Sequence, residues 1–200
     1  MNQRARIVLA SQSATRGAIL ANAGVRFEAI PPQVDEREIE SQLLARGATP
    51  EDVALALAEA KARAVGAVDP SARVIGADQT LDAGGDRWHK PASREEARDQ
   101  LLALSGRSHR LHAAVAGVHG GAVRWRYVAT AVMTMRELLP AEIEAYLDRV
   151  GEAALHSVGA YQIEGPGIRL FERIDGDYFT ILGLPILPLL AWLRSENVLD

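Results

Sequence analysis

The 200-residue sequence contains no cysteine, which excludes disulfides, thiolate zinc sites, iron–sulfur clusters and cysteine nucleophiles together. Lysine is nearly absent as well: of the 22 basic residues only Lys61 and Lys90 are lysines, and the rest are arginine. Against that background, each surviving lysine marks a position where a compact ammonium is wanted in place of a planar guanidinium, unless both are chance surface residues. A long hydrophobic run is also missing. The longest, Phe179 to Leu193, is broken by Gly183, Pro185 and Pro188 and falls short of the roughly 20 residues a bilayer requires. It reads as core, and no membrane partner is expected. The apolar run from Ile7 to Ala10 is shorter than the about 7–15 residues of a secretory signal, so a cytoplasmic protein is expected. With a formal charge of −4 and a pI near 5.8 there is no general attraction to polyanions. A nucleic-acid polymer is therefore not an expected partner, and any anionic ligand must be held by a local cluster of cations. Neither Gly-x-Gly-x-x-Gly nor Gly-x-x-x-x-Gly-Lys-Ser/Thr occurs, which removes the Rossmann and P-loop readings.

What is present suits one folded domain spanning residues 1–200: 48% hydrophobic and 24% charged residues, as in ordinary globular proteins. Arg6 to Ala10 reads as a short buried strand, Ser11 to Ser13 as a turn with capping hydroxyls, and Thr15 to Ala23 as a helix closed by Gly24. A strand near Phe27 to Ile30 meets Pro31 and Pro32, and Asp35, Glu36, Glu38 and Glu40 open a helix to Arg46. Thr49, Pro50, Glu51 and Asp52 carry the cap, first-turn and dipole signals of a helix that reaches Gly66 and contains Lys61. Arg73 to Ala77 predicts a buried strand with Asp78 directly beyond it, then a glycine hairpin at Gly84 and Gly85 leading to Trp88 and Lys90. Ser93 and Glu96 predict a capping box for a helix to Leu104, stopped by Gly106. His109 to Val118 and Arg124 to Arg136 read as a strand pair joined through Gly120 and Gly121, and Pro140 to Val150 as a helix. A glycine-rich loop from Gly159 to Gly167, a strand from Ile168 to Ile174 and a last helix near Pro185 complete the pattern. Helices alternating with strands early and hairpins later predict an α/β protein with a mixed sheet.

Ser11, Ser13 and Arg16 stand where a strand gives way to a helix, so two hydroxyls, a guanidinium and unpaired helix amides point toward one volume suited to an anion. Ordinary helix capping by the serines explains the same residues. Asp78 lies where ligands gather in α/β sheets, although a carboxylate at a turn or cap is the competing reading. Asp35 and Glu36 suit a helix start. Together with Asp78 they also suit a hard divalent cation shared with phosphate oxygens. The histidines show no metal-ligand spacing, since His109 and His112 fall on opposite faces of a strand, and they read as structural.

Ser11-Gln-Ser-Ala-Thr-Arg16, Ala60-Lys-Ala-Arg63, Gly76-Ala-Asp-Gln79, Lys90-Pro91, Leu104-Ser-Gly-Arg107, Gly159-Ala-Tyr-Gln-Ile-Glu-Gly165 and Gly183-Leu-Pro185 follow one another along the chain. In that order they resemble the Maf family of nucleoside triphosphate pyrophosphatases, also called septum-formation inhibitors. The resemblance implies a cytoplasmic, homodimeric enzyme with a twisted mixed sheet and an inosine-triphosphatase-like, two-lobed architecture with a central cleft. Such an enzyme hydrolyses a nucleoside triphosphate to the monophosphate and pyrophosphate with Mg²⁺ or Mn²⁺. Carried over by position, Ser11, Ser13, Arg16, Lys61 and Lys90 hold the triphosphate, Asp78 is the general base, and Asp35, Glu36 and Asp78 bind metal. Both rare lysines fall on motif positions.

Two departures stand out. Gly17 occupies a place where many members have a second basic residue. Gln79 and Glu164 differ from the Thr and Gln of the thymidine and uridine triphosphate branch. With Leu155-His156 and Leu170-Phe-Glu-Arg173 they look like the branch acting on 7-methyl-GTP, which makes Thr15, Gln79 and Glu164 the candidates for base selection. The family's other name leaves a second expectation, a nucleotide-binding regulator of cell division without turnover.

Overall fold

A computed structural model describes residues 6–199 and shows a mixed α/β fold built on a seven-stranded sheet. The strands are β1 (Ile7–Ala10), β2 (Glu28–Ala29), β3 (Arg73–Ala83), β4 (Asp86–Trp88), β5 (Ser108–His119), β6 (Ala122–Met135) and β7 (Phe171–Asp175). The helices are α1 (Ala14–Asn22), α2 (Glu36–Leu44), α3 (Pro50–Gly66), α4 (Arg94–Leu104), α5 (Pro140–Val150), α6 (Tyr178–Ile181) and α7 (Ile186–Ser195). The sheet runs β2-β1-β3-β5-β6-β7, with β4 paired to β3 alone. Pairing is parallel between β1 and both β2 and β3, and antiparallel between β3 and β4 and between β6 and β7. The mixed sheet expected from the element order is present. Among the described residues no helix is long and apolar enough to cross a membrane.

The described residues form two compact units. The first comprises residues up to Gln79, His112–Ala129 and the segment from Asp177 onward. In it β1 and the start of β3 are buried on both faces, which is why they read as unbroken apolar runs. The side chains alternate: Ile7, Leu9, Ile75 and Ala77 pack with Ile19 and Leu20 of α1 and Leu189, Trp192 and Leu193 of α7. Val8, Ala10 and Val74 pack on the other face with Ala54, Ala58, Ala62 and Val65 of α3. Position 76, in register with Ala10 of β1, shares the face that meets α3. Helix α3 starts as its sequence dictates, with Thr49 and Asp52 closing a reciprocal capping box and Pro50 in the first turn.

Two expectations about elements change here. The strand through Arg73 to Ala77 does not stop before Asp78: it continues to Ala83, so Asp78 sits within β3 and not beyond its carboxyl end. The polar residues Asp78, Gln79, Thr80 and Asp82 disguise this extension, because a strand predicted from apolar content ends where polar side chains begin. The apolar stretch after Asp177 yields two helices. Asp177 caps α6 through the N–H groups of Phe179 and Thr180, and Gly183, at φ +85°, makes the turn before α7.

The second unit comprises residues 80–111 and 130–176. Ile143, Tyr146 and Leu147 of α5, Leu101 and Leu104 of α4, and Met133 and Met135 of β6 are buried. The capping signal before α4 is half realised: Ser93 accepts from the Glu96 N–H, while the Glu96 carboxylate accepts from Ala92 N–H, one residue earlier than a capping box requires. The expected strand from Ile168 is a 3₁₀ turn over Pro166–Leu170, and strand geometry starts at Phe171. Pro166 fits the first turn of a helix and cannot donate to a ladder, which accounts for the delay.

His109 is buried in this unit beside the rings of Tyr161 and Phe171, with Nε2 2.6 Å from the Tyr161 hydroxyl. Burial lowers its pKa to about 4. A base whose folded pKa lies below its unfolded value of about 6.5 adds stability above that value, and the gain is lost as pH falls toward the folded pKa. Acidification from pH 7 to pH 5 is expected to cost about 2 kcal/mol through His109 alone. Denaturant titrations of the wild type and His109→Gln at both pH values measure it. Parallel loss of stability in the two proteins would refute the assignment.

Candidate active site

The carboxyl end of β1 leads into Ser11–Ser13 and then α1. The Ser13 N–H donates to Ser11 Oγ (3.1 Å), and Ser13 Oγ, the helix cap, accepts from the Arg16 N–H (3.3 Å). Each hydroxyl thus accepts from the backbone and keeps its proton available for an anion. The capping reading and the anion-binding reading describe the same arrangement. Thr15, the second residue of α1, is half-buried.

Arg16 is not a free arm. Its Nε donates to the Gly183 carbonyl (2.9 Å) and its Nη1 to the Ala77 carbonyl (2.8 Å), so α1, β3 and the turn before α7 meet on one guanidinium. Desolvation lowers its pKa, against the charges of Asp78 and Glu36, which raise it. A Cβ at position 183 would stand 3.3 Å from Arg16 Nη2. Nη2 takes part in neither of these two bonds. Nothing in the sequence pointed from Arg16 to Gly183, because the contact joins residues far apart in the chain.

On the opposite face of β3 the small residues decide the geometry. Gly76 lies against α3 so closely that a Cβ there would be 2.1 Å from the Ala58 carbonyl oxygen and 2.7 Å from the Ala62 nitrogen. Two residues on, Asp78 points to the same face. Helix α3 therefore runs near enough for Lys61, buried on its inner side, to place Nζ 2.7 Å from Asp78 Oδ1. The same Nζ lies 3.0 Å from Oε1 of Glu36, the first residue of α2. Lys61 and Asp78 have side chains only 9% exposed, whereas that of Glu36 is 48% exposed. The other Asp78 oxygen, Oδ2, is buried without a hydrogen-bond partner. A carboxylate oxygen without a partner in such a place is costly unless a water, proton or cation meets it.

Asp35 caps α2, accepting from the Glu38 N–H (3.0 Å). Among the described residues no three acidic, histidine or cysteine side chains cluster to hold a metal, so Asp35, Glu36 and Asp78 do not form a three-ligand group. Gln79, on the face opposite Asp78, donates from Nε2 to the carbonyls of Thr180 (3.0 Å) and Ile181 (2.9 Å), which ties β3 to α6. Both N–H donors of its amide are thereby committed to structure.

Lys90 and Glu164 both belong to the second unit and are exposed. Lys90 follows β4, and Glu164 lies in the turn before the 3₁₀ segment at Pro166. Close to that turn the Tyr146 hydroxyl is pushed up to about 12, chiefly by burial, with a hydrogen bond at Gln162 lowering it and the Glu164 charge raising it further.

The family described as Maf-like protein matches residues 6–196. The chain belongs to the Maf family. Similar Maf relatives cover nearly all of it. It is 57% identical over 195 residues to a 7-methyl-GTP pyrophosphatase of Mesorhizobium japonicum and 55% identical over 195 residues to one of Brucella abortus; each match spans 98% of both chains. A nucleoside triphosphate pyrophosphatase of Bradyrhizobium diazoefficiens is 53% identical over 193 residues, covering 96% of this chain and 95% of that one. The resemblance drawn from the motif series is therefore borne out at the level of the family.

Proposed function

We propose that this Maf protein hydrolyses a nucleoside triphosphate to its monophosphate and pyrophosphate, with a preference for a 7-methylguanine-type base, as a house-cleaning enzyme of the cytoplasm acting as a homodimer. The observation that carries the chemistry is the buried Oδ2 of Asp78, without a partner, beside the Lys61 ammonium. Phosphoryl transfer needs little covalent help beyond positioning and charge neutralisation. Water attacks the α-phosphorus, the bond from that phosphorus to the α,β-bridging oxygen breaks, pyrophosphate leaves carrying that oxygen, and a proton of the water passes to Asp78. Ser11, Ser13, Nη2 of Arg16, Lys61 and Lys90 supply donors to the triphosphate. Asp78 Oδ2 and the exposed Glu36 carboxylate would hold a Mg²⁺ or Mn²⁺ ion, a hard cation suited to carboxylate oxygens and to sharing with a phosphate. When bound, that ion neutralises the charge that develops on the transferring phosphate. The names of the relatives support the reaction class, and for Lys90 the reading rests on its family motif.

The test is a pyrophosphate-release screen over 7-methyl-GTP, GTP, TTP and UTP with each metal. Turnover with a guanine-type substrate in first place is expected. Binding without turnover would favour the regulatory reading instead.

Base preference is assigned to Glu164. A carboxylate accepts from the N1 and N2 donors of guanine but offers nothing to the carbonyl oxygens of a pyrimidine. Methylation at N7 adds positive charge to the purine and strengthens the attraction. A well-placed bidentate contact discriminates by roughly 1–3 kcal/mol, about five- to 150-fold. In Glu164→Gln the ratio of kcat/KM for 7-methyl-GTP over UTP is expected to fall by a factor in that range. An unchanged ratio would return Glu164 to the role of a loop residue.

A further inference from the structure

Gln100 of α4 makes two hydrogen bonds that no motif announces. Its Nε2 donates to the carbonyl oxygen of His89 (2.9 Å), the residue before Lys90. Its Oε1 accepts from the N–H of Gly159 (3.1 Å), the first residue of the loop that carries Glu164. One side chain thus spans the two segments of the second unit to which substrate contacts are assigned.

The loop end it holds is strained. Gly159 has φ +80° and Ala160, a buried non-glycine residue, φ +61°. A Cβ at position 159 would come 2.7 Å from the Tyr161 ring and 2.8 Å from Leu81 Cδ1. A left-handed non-glycine residue persists only where its surroundings over-determine it, and such residues collect at functional sites. Here the surroundings are explicit. The Tyr146 hydroxyl donates to the Ala160 carbonyl (3.2 Å), the Tyr161 hydroxyl pairs with His109 Nε2 (2.6 Å), and Gln100 takes the Gly159 N–H.

We propose that Gln100 is a positioning residue that sets the phosphate-contacting Lys90 segment and the base-contacting Glu164 loop in one register. The inference rests on the reading of Lys90 and Glu164 given above. It depends on the chemistry of a primary amide, which alone among side chains of this length donates to a carbonyl and accepts from an N–H at once. The two bonds can therefore be removed separately. Glu at this position keeps the acceptor for Gly159 and loses the donor to His89; Leu loses both.

The experiment measures KM, kcat and the base ranking with 7-methyl-GTP, GTP and UTP in Gln100→Glu, Gln100→Leu, Lys90→Ala, Glu164→Gln and the double variant Gln100→Glu/Lys90→Ala. Gln100→Glu is expected to raise KM about three- to tenfold with kcat and base ranking kept, since one net hydrogen bond has that weight. Gln100→Leu is expected to raise KM similarly and also to narrow the base ranking. In the double variant KM should equal that of Lys90→Ala, because the tether then has nothing to position. Wild-type KM and ranking in folded Gln100→Leu, or multiplicative KM effects in the double variant, would overturn the inference. Should Gln100→Leu fail to fold, Gln100→Glu decides alone, and a wild-type KM in it overturns the proposal. Silent Lys90→Ala and Glu164→Gln variants would bring down the reading beneath it as well, whereas effects in those two with silent Gln100 variants refute the positioning role only.

Discussion

Asp78→Asn is expected to lower kcat by about 10²–10⁴-fold while leaving nucleotide affinity within about threefold, the range a positioned general base contributes. The substitution keeps the shape of the side chain and an oxygen for Lys61, and it removes the charge and the proton-accepting oxygen. Folding should survive it. Removing one partner of a buried ion pair is ordinarily severe because the other charge is stranded, but here Glu36 remains 3.0 Å from the same ammonium. The measurements are pyrophosphate release at saturating substrate and binding of a non-hydrolysable triphosphate analogue. If kcat stayed above about a tenth of the wild-type value, Asp78 would not be the base. Loss of binding in parallel with turnover would show that the part of Asp78 in holding the metal and its ligand outweighs its part as base.

Gly76→Ala carries the largest expected effect on stability. The added methyl would lie 2.1 Å from the Ala58 carbonyl oxygen, 2.7 Å from the Ala62 nitrogen and 2.9 Å from the Ala62 Cβ. Two of these atoms are backbone in the middle of α3, so no side chain can rotate away, and the helix itself must withdraw from the sheet. Overpacking of a tight core costs about 1–3 kcal/mol and occasionally more, and this position belongs at the upper end. A fall in Tm of roughly 6–12 °C follows for a chain of this size. The same withdrawal carries Lys61 away from Asp78, so activity should drop further than the unfolded fraction explains. Calorimetry of Gly76→Ala beside pyrophosphate release well below its Tm separates the two losses. Wild-type Tm and wild-type activity would show that α3 adapts and that the closeness at Gly76 is unimportant.

The sequence by itself determined where most of the helices begin and named the candidate site residues. Capping hydroxyls at Ser13 and Thr49, Pro50 in a first turn, and glycines at positions 24 and 106 act within a few residues, so local pattern is enough to read them. The scarcity of lysine singled out Lys61 and Lys90 in the same direct way. Tertiary structure decided which of these residues meet. Lys61 touching both Asp78 and Glu36, Arg16 spending two donors on Ala77 and Gly183, and Gln79 fastened to α6 are contacts between distant segments. The Lys61–Asp78 contact depends on how closely α3 lies on β3, and that distance is set by a missing methyl at Gly76, which no periodicity displays. The length of β3 was hidden for a related reason. Its second half carries Asp78, Gln79, Thr80 and Asp82, and polar residues stay in a buried strand only when other parts of the fold supply their partners. Gln100 was invisible for the same cause: an amide on a helix looks like solvent-facing surface until the backbone of two loops arrives on either side of it.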